Sequence, residues 1–232
     1  MYIYGKNVAR EKINSNDKIN KVYLAEGFND NVLFNLIKEK KIKYNIVPRA
    51  FLDNKVDGLH QGIILEVDDV KTFDFNYINT LRKDNSVIVV LDHLEDPHNF
   101  GAIIRTCEAL GVDAIIIPND RSVNVNATVV KTSAGAIYNI PIVKIANLSV
   151  AINKLKSLGY WIVGTDMNGQ DYTEINYDNK TCLIIGNEGK GMSRVVRDNC
   201  DFIVKIPMTG KINSLNASVS CGIVLSKIML DR

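Results

Sequence analysis

The sequence predicts an α/β protein built on a mostly parallel sheet. From Ser86 onward short apolar runs alternate with helix-length segments, strand and helix in turn, as in a sheet covered by helices on both faces. The first of these runs, Val87-Ile88-Val89-Val90-Leu91, is apolar without a break, as a strand buried on both sides requires. A third observation divides the chain. Residues 1–72 carry a shorter strand-and-helix pattern of their own, and residues 73–85 separate it from the unit at 86–232.

Taken in order, Val22-Tyr23-Leu24-Ala25 is a short strand, and residues 29–40 set Val32, Leu33, Leu36 and Ile37 at the spacing of a helix with one buried face. Residues 42–47 and 62–67 are further strands. Residues 70–85 are polar and strand-poor, with aromatics at Phe73, Phe75 and Tyr77, and read as a linker packed loosely on the second unit. After the strand at 87–91, the positions of Ile103, Ile104, Cys107 and Leu110 mark a helix closed by Gly111. Strands are then expected at 114–117, 140–143, 160–164, 181–185 and 202–206. Helices are expected near 127–134, at 149–158 before Gly159, at 193–199, and at 215–230.

The 232 residues are 46% hydrophobic and 23% charged, ordinary values for a globular protein with a sizeable core. A net charge of +2 does not mark a nucleic-acid binder, although it leaves room for a local basic patch. No apolar run approaches the roughly 20 residues that span a membrane. Met1-Tyr2-Ile3-Tyr4-Gly5-Lys6 lacks the apolar core of a signal peptide. Cys107, Cys182, Cys200 and Cys221 are scattered without a Cys-x-x-Cys pair, which argues against a disulfide framework or a zinc site and for the cytosol. His60, His93 and His98 do not form a metal set either, so no metal is expected.

Three segments carry the chemistry. They are Asn99-Phe100-Gly101-Ala102-Ile103-Ile104-Arg105, then Gly186-Asn187-Glu188-Gly189-Lys190-Gly191, then Ile206-Pro207-Met208 followed by Ser214-Leu215-Asn216-Ala217-Ser218. Each sets glycines or small polar residues beside a charged or amide side chain at the end of an apolar run, the pattern of a site on strand-end loops. No Gly-x-Gly-x-x-Gly follows Leu91, and Met192 stands where a P-loop needs lysine, so neither common nucleotide motif is present. Asn99 is placed to cap its helix, with Gly101 and Arg105 four apart on one face and Gly101 leaving room for a ligand. Read alone, Arg105 is a solvated surface arginine beside Glu108. Glu188 lies among glycines that permit positive φ, and it orders the loop, pairs with Arg105, or is simply an exposed turn residue. Pro207 fixes a bend at its strand end. Ser214 or Asn216 caps the last helix, whose small residues (Ala217, Ser218, Ser220, Cys221, Gly222) suit a tight junction or a subunit contact.

The order and spacing of these segments resemble the SpoU (TrmH-type) family of RNA ribose 2′-O-methyltransferases. So do Leu91 to Asn99, Arg121 to Thr128 and Trp161-Ile162-Val163-Gly164-Thr165, which look like those of bacterial 23S rRNA guanosine-2′-O-methyltransferases. Ile3 to Val8 and His60-Gln61-Gly62-Ile63-Ile64 resemble the family's small substrate-binding domain, similar to ribosomal L30e. One departure is Ala217, where relatives often have valine.

The resemblance implies a homodimer with a C-terminal trefoil knot of the SPOUT type, preceded by the L30e-like domain. It also implies S-adenosylmethionine as cofactor, held in the knotted loops by Thr165, Gly186, Ile206, Met208, Ser214, Leu215 and Asn216. The catalytic set would be Arg105, reaching in from the other subunit, with Asn99 and Glu188 positioning it. RNA phosphates would meet Lys38, Lys41, Lys43 and Arg49, although Lys38 to Lys43 also read as a solvated helix end. The expected substrate is 23S rRNA. A tRNA target, and a non-catalytic RNA-binding role in ribosome assembly, are the alternatives.

Overall fold

The computed structural model describes residues 1–15, 18–81, 83–212 and 214–232. In the first unit Tyr2–Tyr4 (β1) leads to Lys6–Asn14 (α1), Ile19–Ala25 (β2), Asn31–Glu39 (α2), Tyr44–Val47 (β3), Arg49–Asp53 (α3) and Ile63–Val67 (β4). The strands form one sheet in the order β1-β4-β2-β3, in which only β2 and β3 run parallel. Sequence patterning missed β1, α1 and α3. Two of them are too short to show a period, and α1 opens at Gly5, whose φ of 97° suits glycine. That helix has no cap of its own; Gln61 Oε1 accepts the Lys6 N–H at 2.8 Å instead.

The second unit runs Thr72–Phe73 (β5), Val87–Leu91 (β6), Pro97–Ala109 (α4), Ala114–Pro118 (β7), Ala127–Thr132 (α5), Ile142–Ile145 (β8), Leu148–Ser157 (α6), Trp161–Asp171 (β9), Thr181–Ile185 (β10), Arg194–Arg197 (α7), Phe202–Lys205 (β11) and Ala217–Leu230 (α8). Its sheet has the order β11-β9-β10-β6-β7-β8-β5, and every neighbouring pair is parallel. Alternate residues of β6 point to opposite faces: Val87, Val89 and Leu91 pack with α4 and α8, while Ile88 and Val90 pack with α6 and α7. The first of these clusters continues into the small unit through Ile3, Val8, Leu33 and Leu65, so the two units share one core.

The expected loose linker is a correction. Thr72 and Phe73 pair with Ile142 and Val143 at the sheet edge, and residues Phe75–Thr80 form a 3-10 turn with Ile78 buried. Phe73, Phe75 and Tyr77 are wedged against the core, with the Phe73 and Tyr77 rings 4.6 Å apart. Two paired residues cannot display alternation, which is why the polar composition misled. Strand β9 also continues to Asp171, beyond the expected end at 164, because a register shift at Ile203/Val204 lets β11 pair with its polar second half. No described helix is long and apolar enough to cross a membrane.

The chain leaves β6 toward β7 on one side and leaves β10 toward β11 on the other. The carboxyl ends of β6 and β10, with Leu91 opposite Ile185, therefore form the switch point at which parallel sheets bind ligands.

Candidate functional site

The residues after β6 fix the start of α4. Asp96 caps it by accepting the His98 N–H at 2.9 Å, and Pro97 occupies the first helical position. Asn99 is therefore not the cap the sequence suggested. It lies nearly buried in the first turn, and its amide reaches other segments. Asn99 Nδ2 donates to Glu188 Oε1 at 3.0 Å, and its Oδ1 accepts from Asn216 Nδ2 at 2.8 Å. Asn216 in turn caps α8, its Oδ1 accepting the Ser218 N–H at 2.9 Å. One chain of side-chain hydrogen bonds thus joins all three segments.

A second set of bonds clamps the turn after β10. Asn187 Nδ2 donates to the His93 carbonyl at 2.8 Å, and its Oδ1 accepts the N–H groups of Gly189 and Lys190. Asp92, 1% exposed, accepts the Ser193 N–H at 2.7 Å and faces His93 Nδ1 at 2.5 Å. Those partners offset the cost of burying the carboxylate. A Cβ on Gly186 would lie 2.4 Å from the backbone of Gly191 and Met192, so only glycine lets the turn close on itself.

Between this turn, the ends of β9 and β11, and the 206–216 segment opens a cavity of about 870 Å³. Thr165, Gly186, Ile206, Met208, Ser214 and Leu215 line it, whereas Asn216 points away to Asn99. Thr165 Oγ1 donates to the Ile184 carbonyl at 3.2 Å. Apolar Ile185, Val204 and Leu215 alternate with polar Thr165, Asn187 and Ser214 around the wall. The volume and the mixed lining suit a small organic ligand that carries both apolar and polar parts. Lys190, within the second segment but given no role there, also lines the cavity, as do Asp166 and Lys205, which were not foreseen. Asp166 was hidden because β9 reads as ending before it, and its carboxylate pairs with Arg197 at 2.7 Å.

Arg105 stands apart. It is exposed on α4, does not line the cavity of its own chain, and bonds to no described residue, Glu108 and Glu188 included. Gly101 leaves no room for a ligand, contrary to expectation: a Cβ there would lie 2.6 Å from Thr132 Cβ, so this glycine seats α4 on α5. The four expected RNA contacts are split. Lys38, over the Phe34 ring at 4.3 Å, Lys41 and Lys43 lie before β3. Arg49 follows β3 at the start of α3, at the other end of the strand from Lys43. His60 is buried and internally used, its Nε2 2.8 Å from Asp53 Oδ1 and its Nδ1 accepting the Gly62 N–H.

Residues 86–226 match the SpoU rRNA Methylase family, and residues 2–73 match the family described as RNA 2′-O ribose methyltransferase substrate binding. The chain belongs to the SpoU family. A Staphylococcus haemolyticus protein described as a TrmH family tRNA/rRNA methyltransferase is 40% identical over 99% of this chain and 95% of its own length. The SpoU methyltransferase AviRb from Streptomyces viridochromogenes, solved in complex with AdoMet, shares the fold. Its TM-score is 0.83 at 20% identity, over 99% of this chain and 89% of that one. A TrmH/SpoU tRNA modifying enzyme from A. aeolicus superposes with a TM-score of 0.59 at 30% identity, over 65% of this chain and 77% of that one. As a SpoU member, the protein is an RNA 2′-O-methyltransferase that uses S-adenosylmethionine.

Proposed function

We propose that this SpoU enzyme methylates the ribose of a 23S rRNA guanosine, and that it does so as a homodimer whose partner subunit supplies Arg105. The observation that carries the reading is the isolation of Arg105: it is exposed and unpaired among the described residues, while Asn99 and Glu188 are committed to each other. A functional cation with no work in its own chain is poised to act on another. The outer face of α8 supports the dimer, since Val219, Ile223, Ser226 and Leu230 recur at helical spacing and leave Val219 and Leu230 48% and 79% exposed.

Thr165, Gly186, Ile206, Met208, Ser214 and Leu215 would hold the cofactor in the cavity, with Asn216 acting one step removed as the cap of α8 and the partner of Asn99. Bound there, S-adenosylmethionine supplies an electrophilic methyl group on a sulfonium. A ribose 2′-hydroxyl is a weak nucleophile, and its oxygen gains negative charge as it reacts. The Arg105 guanidinium would stabilise that charge. An arginine side chain is a poor base in water, so the hydroxyl proton would pass to another acceptor such as a substrate phosphate. Glu188 and Asn99 hold the cavity turn against the helix that carries Arg105, a positioning role rather than a direct bond to the arginine. Holding hydroxyl and methyl in line supplies much of the acceleration.

By the same reading, residues 1–72 form the L30e-like substrate-binding unit, 73–85 join it on, and 86–232 form the catalytic unit with its trefoil knot. The bonds that tie 92–93 to 187–193 support interlocked loops at that end. Four free cysteines suit the cytosol. The test is transfer of radiolabelled methyl to unmodified 23S rRNA and to bulk tRNA, read as alkali-resistant dinucleotides, with Arg105→Ala as control. Label in rRNA that the variant abolishes is the expected result. Label in tRNA alone would overturn the substrate, an outcome the likeness to the A. aeolicus tRNA enzyme keeps in view. Binding of rRNA with no label in either would point to a non-catalytic assembly factor.

A further inference from the structure

Lysines on three different segments lie at the cavity or beside it in the chain. Lys190 and Lys205 line it, and Lys211 lies between Gly210 and Ile212, which line it too. All three are exposed, and none forms an ion pair or side-chain hydrogen bond with a described residue. The carboxylates of the same wall are already engaged, Asp166 by Arg197 and Glu188 by Asn99. Asp171, opposite Lys205 in the strand register, directs its carboxylate to Thr173. Its carboxyl is held below the usual range first by those bonds and only in smaller part by Lys205. With Asp166 paired to Arg197, the three lysines outnumber the Glu188 and Asp171 carboxylates, so the rim keeps a small positive excess in a chain whose net charge is only +2. Lys190 is presented from a fixed frame, because Asn187 holds its N–H and pairs with Gly191 across the turn.

We propose that Lys190, Lys205 and Lys211 grip the phosphates on either side of the target nucleotide and so present its ribose to the cavity. This rests on the methyltransferase reading above. Three separated cations exceed what a single cofactor carboxylate needs, and their spread around an opening matches a polyanionic strand crossing it. Ammonium groups act there as point charges that place the backbone without reading sequence. The target nucleotide is then positioned at the catalytic unit itself, while the small unit holds a more distant part of the RNA.

The experiment compares full-length wild type with the Lys190→Gln/Lys205→Gln/Lys211→Gln variant. Binding of an unmodified 23S rRNA fragment, and of bulk tRNA in parallel, is followed by fluorescence anisotropy from low to high salt. S-adenosylmethionine affinity is measured by calorimetry. The expected result is a plot of log K against log salt that is shallower by about 2, roughly 0.7 per lost contact to single-stranded RNA. The KM for RNA rises while cofactor affinity stays within about twofold. A variant whose slope equals that of wild type overturns the proposal. Loss of cofactor affinity with an unchanged slope also overturns it, by assigning the lysines to the cofactor. A wild type that binds RNA with the steep slope yet transfers no methyl would sink the enzymatic reading alone, and the slope comparison would still decide the lysines.

Discussion

Asn99 shows how one amide organises a site. Both ends of its side chain are used, one on Glu188 and one on Asn216, with Asn99 buried and its two partners exposed. Asn99→Ala removes both hydrogen bonds, and because Asn216 and Glu188 are exposed and can turn to water the cost is about 1 kcal/mol. A lowered thermal midpoint and weaker calorimetric binding of S-adenosylmethionine are the expected readouts. Asn99→Asp keeps the size but sets a carboxylate against Glu188, and should weaken cofactor binding at least as much. Asn216→Ala removes a helix cap as well and should cost about 1 kcal/mol more. For Arg105 the pattern differs, because the side chain supports nothing described in its own chain: Arg105→Ala should keep fold and cofactor affinity while methyl transfer falls by two or more orders of magnitude.

Among the elements, α4 is seated by the close approach at its glycine as well as by its buried apolar residues. Gly101→Val would push into Thr132 and the backbone of Ser133, costing about 1–3 kcal/mol or forcing α4 off α5, with a lower melting temperature as the measure. The reason this contact escaped the sequence also explains the other gaps. Strands β6, β7 and β10 were legible because every side chain is buried, so hydrophobicity alone marks them. The second half of β9 is polar and β5 is two residues long, so neither carries a signal that pairing partners do not supply. Within the site, the segments were legible as clusters of unusual residues, but not which residue did what. Asp96 and Asn99 are both good caps, and Pro97 at the first helical position is what favours Asp96. Gly101 looked like space for a ligand because a glycine in sequence does not say which neighbour needs the room.

For the whole molecule the central expectation is a site built from two chains. Mixing Arg105→Ala protein with Asn216→Ala protein, each nearly inactive alone, should restore activity toward a quarter of wild type, because one of the two sites in a mixed dimer keeps both intact parts. No recovery after verified subunit exchange would place Arg105 and the cavity in the same chain. The two units of each chain are also firmly joined. Helix α5 seats α4 on one side and meets the small sheet on the other, where Lys131 lies 5.0 Å over the Tyr4 ring. Gly135 packs against Glu11 of α1.

That double-sided seat of α5 makes the enzyme a caliper. Because the two units share one core and the segment between them is pinned into the sheet edge, the gap from the small sheet to the cavity mouth is set in advance. On the proposed division of labour between the two units, an RNA would be selected by the distance between the feature it offers to one jaw and the ribose it offers to the other. Lengthening the intervening stem of a good substrate by one base pair should abolish methylation at the original nucleotide, or move it by one position, while binding persists. Sequence changes that keep the length should be tolerated.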